Sequence, residues 1–314
     1  VILPVHREIP EGLNRKTDLK KLGLASTGDP LTRYEYRTRK GWEHCNLYAV
    51  AATTPIDWKA NEQARKTRKA QREQHRQDLE TMFSEELASL EADTLADAQQ
   101  EWRKAVKRFR HWADDPRLLI VGTQTTGLTG QVVEIAVVTL DGTPLVDTLV
   151  RATVPIEPGA HRIHGLTDAD LRDAPAWPEV MELLKPVLQG RLCLAYNAEF
   201  DRRACATSNA AHGMYNALSD RQYWLCAMTA YASIGWAWSD RRGEWRWTSL
   251  RNACFEQGVA PEADTHRALG GAQALARLVS KLSSMPPNPP TTLPEGMAIT
   301  TENVGWTPEE HPSW

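Results

Sequence analysis

The sequence has no long apolar run, no paired cysteines and no strong charge of either sign. No stretch reaches the ~18 apolar residues that a membrane-spanning helix needs, so no contact with a membrane is expected. The apolar start of VILPVHREIP is too short for a signal peptide. Five cysteines stand apart at 45, 193, 205, 226 and 254, without a Cys-x-x-Cys pair. Neither a disulfide framework nor a zinc site is indicated, and reduced thiols in a cytoplasmic protein are the expectation. A net charge of −3 over 314 residues excludes a polycation, so any binding of nucleic acid must come from local patches. Apolar residues at 41% and charged ones at 25% are ordinary for a folded chain.

Residues 1–56 carry little periodicity. Lys16–Leu24 reads as a short helix ended by Gly23, and Gly28–Pro30 as a turn. Thr32–Val50 alternates aromatic and basic residues, with Tyr34 and Tyr36 among Arg33, Arg37, Arg39 and Lys40. It is either a solvated strand docked on its neighbour or a small sheet element offering phosphate contacts and a stacking face. Asp57–Asp115 contains no Gly and no Pro and is rich in Ala, Glu, Gln, Lys and Arg. Its apolar residues follow helical spacing in two halves, with a five-residue step from Leu90 to Leu95. The region 57–116 is expected as a charged helical arm, either one long helix or a helical pair. Its first part concentrates Lys and Arg, and Arg65, Arg68, Lys69 and Arg72 are candidate phosphate contacts.

Residues 117–282 read as one α/β unit. Leu118–Val121 is a buried strand ending in a polar turn. Gln131–Ala152 gives two strands around the Asp141-Gly142 turn, so three strands run antiparallel. Residues 155–190 predict two helices, one capped at Thr167 and one starting near Pro178. Arg191–Asn197 is a fourth strand and Asn197–Cys205 opens a helix. The Trp236-Ala237-Trp238 and Trp245-Arg246-Trp247 pairs predict a hairpin that either covers the core or offers a stacking platform. Two helices close the unit. Residues 283–314 are a Pro-rich tail with no core of its own, docked if at all through Trp306 and Trp314.

Four segments in order resemble the DEDDh, DnaQ-like proofreading type of 3′–5′ exonuclease. Gly122-Thr123-Gln124-Thr125-Thr126-Gly127-Leu128 is similar to that family's Asp-x-Glu-Thr-Thr-Gly-Leu. Ile163-His164-Gly165-Leu166-Thr167 resembles its linker, Asn197-Ala198-Glu199-Phe200-Asp201 its second motif, and His266–Ala272 its His-Arg-Ala-x-x-Asp-Ala. The resemblance implies an RNase H-like fold, an α/β five-stranded mixed sheet flanked by helices, here behind an N-terminal helical arm. It also implies hydrolysis of phosphodiester bonds from 3′ ends by two Mg²⁺ or Mn²⁺ ions about 4 Å apart.

The family's four acidic positions are not all kept. Asp201 stands as the implied metal-binding carboxylate and His266 as the implied general base, whereas Gly122, Gln124 and Gly271 occupy the other three acidic positions. One carboxylate does not assemble a two-metal centre, so metal binding is expected to be weak or absent and the chain inert as written. Thr125, Thr126, Gly127, Leu128, His164, Asn197 and Phe200 fall where the family meets its substrate. The implied partner is the 3′ end of a single strand, DNA rather than RNA. Two alternatives stand beside this reading. One is an assembly subunit of a larger nucleic-acid-processing complex, docked through residues 57–115. The other is a weak exonuclease with a relocated metal.

Overall fold

The computed structural model describes residues 4–215, 218, 220, 223–260, 266–297 and 299. The chain divides into two compact units, with the division between Glu85 and Glu86.

The first unit is built on short strands. β1 (Val5–His6), β2 (Leu13–Arg15), β4 (Thr32–Thr38) and β5 (Gly41–Ala49) form a four-stranded sheet in the order β1-β4-β5-β2. β3 (Leu24–Ser26) pairs with β6 (Thr53–Pro55), and α1 (Lys16–Lys21) is ended by Gly23 in a left-handed turn. Among the described residues, only Leu19 and Leu47 are buried apolar side chains in this unit. Its core is small, and one sheet face is left to solvent.

α2 runs unbroken from Trp58 to Asp114, through the five-residue step at Leu90–Leu95. Within the second unit its buried residues are Ala98, Trp102, Ala105, Val106, Phe109 and Trp112. That spacing of threes and fours makes one apolar seam, which packs into the main core with Ile120, Leu275 and Val279. The end of the arm is therefore part of the α/β body.

The body's sheet has five strands in the order β11-β10-β7-β8-β9. They are β7 (Leu118–Thr125), β8 (Val132–Val138), β9 (Pro144–Leu149), β10 (Leu192–Ala195) and β11 (Trp224–Cys226). β7, β8 and β9 run antiparallel, while β10 lies parallel to both β7 and β11. This is the mixed sheet of the RNase H-like fold. Its fifth strand precedes the tryptophan pairs, where three residues give no period to detect. Strand alternation splits β7 between two cores: Leu118 and Ile120 face α2 and the last helix, Leu119 and Val121 the opposite layer. That layer contains α4 (Trp177–Leu188) and α5 (Ala198–Ala211), and α8 (Ala268–Ser283) covers the first face. Two short helices, α6 (Ala227–Tyr231) and α7 (Leu250–Glu256), complete the first layer.

Two expectations are corrected. No helix starts at Thr167. Its amide and hydroxyl both donate to Asp170, closing a turn instead. The helix is α3 (Pro158–His164), with Pro158 at its first turn and left-handed Gly165 at its end. The tail also docks earlier than Trp306 and Trp314, which lie outside the described residues. Arg110 donates to the carbonyls of Ser283 and Met285, Gln99 to Pro290 and the Trp236 indole to Thr292. The Trp238 amide then donates to the Glu295 carbonyl and the Glu295 amide to that of Trp236, beside the hairpin of β12 (Trp238–Ser239) and β13 (Glu244–Trp245). Gly296 is required there: its φ is +80° and a Cβ would lie 2.7 Å from the Trp238 carbonyl. The hairpin tryptophans pack on one another, with Trp245 against both Trp236 and Trp238.

Because Phe109 is fully buried in the seam, Phe109→Ala is expected to cost about 3–5 kcal/mol. Met82→Ala, on an exposed stretch of the same helix, is expected to stay within about 0.5 kcal/mol. Urea denaturation of the two variants measures both.

Candidate active site

The first motif forms where β7 ends. Gly122 and Gln124 point to the α8 face, with Thr123 and Thr125 on the other. At Gly122 the first turn of α8 lies directly on the strand. A Cβ built there would be 2.5 Å from the Ala268 carbonyl oxygen and 3.4 Å from the Ala272 Cβ. No side chain fits without moving backbone. The strand pairing then shifts between Gln124 and Thr125, a bulge that re-aims the following turn.

Gln124 pairs across the strands with Glu134. Glu134 is a carboxylate in the otherwise apolar strand VVEIAVV and is 3% exposed. Such a charge needs a partner. Arg267 supplies it, its Nε 3.0 and 3.1 Å from the two carboxylate oxygens and its Nη2 also donating to Oε1. The Ala268 amide donates to the same carboxylate at 2.9 Å, so Glu134 caps α8 from another strand. The carbonyl of Ala268 that closes over Gly122 is thus held by the charge pair beneath it.

Asp201 enters from the first turn of α5, and its carboxylate accepts from the Thr123 hydroxyl at 2.7 Å. Thr123 is on the opposite side of β7 from Gly122 and Gln124, so this carboxylate is held to the α5 layer. Burial pushes its pKa up to about 7, against the lesser pull of that hydrogen bond. Glu199, the neighbouring acid, is taken by Arg202 and Arg203, with a carboxyl lowered to about 2. Asp264 lies outside the described residues. His266 is exposed at the entry to α8, and Gly271 donates its amide to the Arg267 carbonyl inside the helix. Among the described residues, no group of three His, Cys, Asp or Glu side chains is placed to hold a metal. The donor set does not fit a pair of divalent cations. Gly122 has no room for a ligand, Gln124 has no charge, and Glu134, among the described residues the one buried carboxylate on this face, already holds a guanidinium.

The turn after the strand is intact. The Thr126 amide donates to the Gln131 carbonyl, and the Gln131 amide returns a bond to the Thr126 hydroxyl. Thr125 Oγ1 donates to the Gly127 carbonyl at 2.8 Å. His164 is buried: its Nδ1 accepts from the Leu166 amide and its Nε2 therefore donates to the Thr125 carbonyl at 3.1 Å. Burial lowers its pKa, keeping the ring neutral. His164 positions the turn and offers no free nitrogen. Leu128 projects from it, 87% exposed. The Glu157 carboxylate lies over Gly127, about where a Cβ would stand. Asn197 is exposed at the start of α5 and Phe200 half-buried one turn on.

The family model for exonucleases of the RNase T type matches residues 121–279. The chain belongs to this exonuclease family. It is 30% identical over 190 residues to an uncharacterized exonuclease, CP81, of Escherichia phage 186, covering 56% of this chain and 93% of that one. Over 89 residues it is 39% identical to exodeoxyribonuclease 10 of Escherichia coli K12, of which it spans 39%. Among solved structures it is similar to exonuclease X in complex with 5′-overhanging duplex DNA. That match has 26% identity and a TM-score of 0.39, covering 61% of this chain and 95% of that one.

Arg65, Arg68, Lys69 and Arg72 form a separate group on α2 in the first unit. Their spacing puts them on one helix face, all exposed. Lys66 and Arg76 nearby are paired with carboxylates. Among the described residues these four have no ion pair.

Glu134 is an acid on another strand that the motifs leave aside, and Arg267 as its partner and Thr123 are members that they do not single out. The available signal was an acid inside an all-apolar strand, which announces a buried partner. Two variants test the closure. Gly122→Ala is expected to lose about 1–3 kcal/mol by overpacking, and Arg267→Ala about 3 kcal/mol by stranding a buried carboxylate. In the double variant Glu134→Gln/Arg267→Ala most of the second loss should return. Denaturant midpoints decide, and additive losses in the double variant would show that the pair is not coupled.

Proposed function

We propose that the cleft of this exonuclease-family chain receives the 3′ end of a single strand, DNA rather than RNA, and holds it without hydrolysing it. The observation that carries this reading is the Ala268 carbonyl 2.5 Å from any Cβ at position 122. The first metal ligand of the resembled family has no place to stand here. The same face carries the partly exposed Arg267 guanidinium, a fixed cation that can meet a phosphate where the family would use metal ions. The ordered turn of Thr125–Leu128 offers a backbone edge and the exposed Leu128 as an apolar wedge against a terminal base. Exposed His266 has no metal-bound water to deprotonate. Its role in this reading is a hydrogen bond to the strand end.

The reading is tested with a 3′-ended, fluorescently labelled single strand. Anisotropy should give the same affinity in EDTA as in Mg²⁺, and a gel should show no shortening in Mg²⁺ or Mn²⁺. Shortening would establish a working metal site, and binding that required the metal would overturn the metal-free cleft. Restoring three acids with Gly122→Asp, Gln124→Glu and Gly271→Asp is a harder test, since the first change must displace α8.

A second reading is favoured by α2 itself, whose residues from Trp58 to Met82 are exposed on every face. A polar helix exposed all round is suited to meeting a partner, and the arm is then a docking element for a larger complex. Replacing Arg65, Arg68, Lys69 and Arg72 by Gln separates the two. If the arm serves the nucleic acid, the slope of log affinity against log salt should fall by up to about 2.8 for a single strand. An unchanged slope assigns the arm to a protein partner.

A further inference from the structure

Charge is unevenly divided along this chain. Residues 1–85 hold sixteen Lys and Arg against twelve Asp and Glu, leaving 21 against 28 for the rest. Residues 86–314 are the acidic part, so the long-range attraction for a polyanion is stronger at the first unit.

Register in that unit's sheet decides which side chains share a face. Arg33 lies opposite Asn46, Glu35 opposite His44 and Arg37 opposite Trp42. These residues, with Tyr48 further along β5, occupy one face. The other face holds Tyr34 stacked on Tyr36 at 5.9 Å, with Cys45 and buried Leu47. The tyrosines that the alternation singled out are therefore on the packed side, and the open face has the exposed Trp42 and the half-buried Tyr48. Trp42 is 55% exposed, and its ring carries the Arg7 guanidinium 5.4 Å from the centroid. Lys16 stands 5.8 Å from the Tyr48 ring. Glu35, the acid on this face, is met by Arg7 and His44. Arg33 and Arg37 are exposed and, among the described residues, have no ion pair.

We infer that this open sheet face is a second nucleic-acid site, a sequence-tolerant platform for a single strand. Bases stack on Trp42 and Tyr48, and Arg33 and Arg37 take the intervening phosphates. The two rings stand six residues apart on one strand, about 20 Å, which leaves room for a few nucleotides between them. Each ring has a cation over one face, and a base that stacks there displaces that cation towards its phosphate. The face presents backbone-independent stacking and charge and no built pocket for a base edge, which is why no sequence preference is expected. This site goes beyond the cleft: it needs no strand end and no part of the exonuclease body.

The test uses the full chain and labelled oligo-dT and oligo-U of about 15 nucleotides. Trp42→Ala should weaken binding about ten-fold, and Trp42→Phe should recover most of that loss. Arg33→Gln/Arg37→Gln should reduce the salt slope by about 1.4. All three changes are at exposed positions, and an unchanged thermal melt confirms the fold. Loss in either arm supports the platform and names DNA or RNA as its strand. Wild-type affinity and slope in both arms for the alanine and glutamine variants overturn it. A covalently closed single-stranded circle keeps the two sites apart. It has no 3′ end, so the platform predicts that it binds and is sensitive to Trp42→Ala. Failure of the cleft would instead appear as equal affinity for linear and circular strands.

Discussion

The close approach of a helix to a strand at Gly122 is the constraint on which the site depends. α8 can sit with its Ala268 carbonyl against β7 because residue 122 has no side chain. Any larger residue would force the helix outward, and with it the seam formed by Ala272, Leu275 and Val279 over the sheet. Gly122 has no unusual φ. It is there for space, as packing at crystal-like density requires. The glycine at 122 and the position of the helix are one fact of packing.

Electrostatics follow from the same closure. Four acids around two metal ions balance their charge through the ions. With Gly122 and Gln124 on β7, a carboxylate alone on this face would be an uncompensated buried charge. The chain holds a different balance: Glu134 with Arg267, completed by the Ala268 amide. The pair spans 133 residues of sequence and ties α8 to β8. Asp201, without a cation of its own, is turned to Thr123 and has a pKa near neutrality because it is buried. Glu134 is held by a cation and Asp201 by a hydroxyl, so the two buried carboxylates lie in different layers of the sheet.

Much of the body was legible because its signals are local. Leu118–Val121 is a continuous apolar run, Asp141-Gly142 is a turn by chemistry, and the motifs fall in order. The errors come from competition between local signals or from contacts distant in sequence. Thr167 and Asp170 have the residues of a helix cap and spend them on each other. Pro158 and Gly165, which do bound a helix, were there to be read. β11 is too short to carry a period. The tail is held by carbonyls that accept from Arg110, Gln99 and Trp236, and nothing in a Pro-rich stretch announces such partners. The Glu134–Arg267 pair was half visible, as an acid where only apolar residues belong. Its partner could come only from the fold.

The same distinction explains the first unit. Alternation along β4 correctly separated the tyrosines from the arginines, but it does not say which side of a sheet meets solvent. That is decided by where the few apolar side chains go, and here Leu47 goes with the tyrosines. A unit with so small a core cannot cover both faces of its sheet. The uncovered face is left with Trp42 and Tyr48 because large rings with polar edges tolerate water better than an aliphatic face does. Arg7 and Lys16 lie over those rings because the ring quadrupole attracts a cation. The exposed platform is therefore a consequence of the unit's size, and its charge makes it the part of this acidic chain best suited to approach a polyanion.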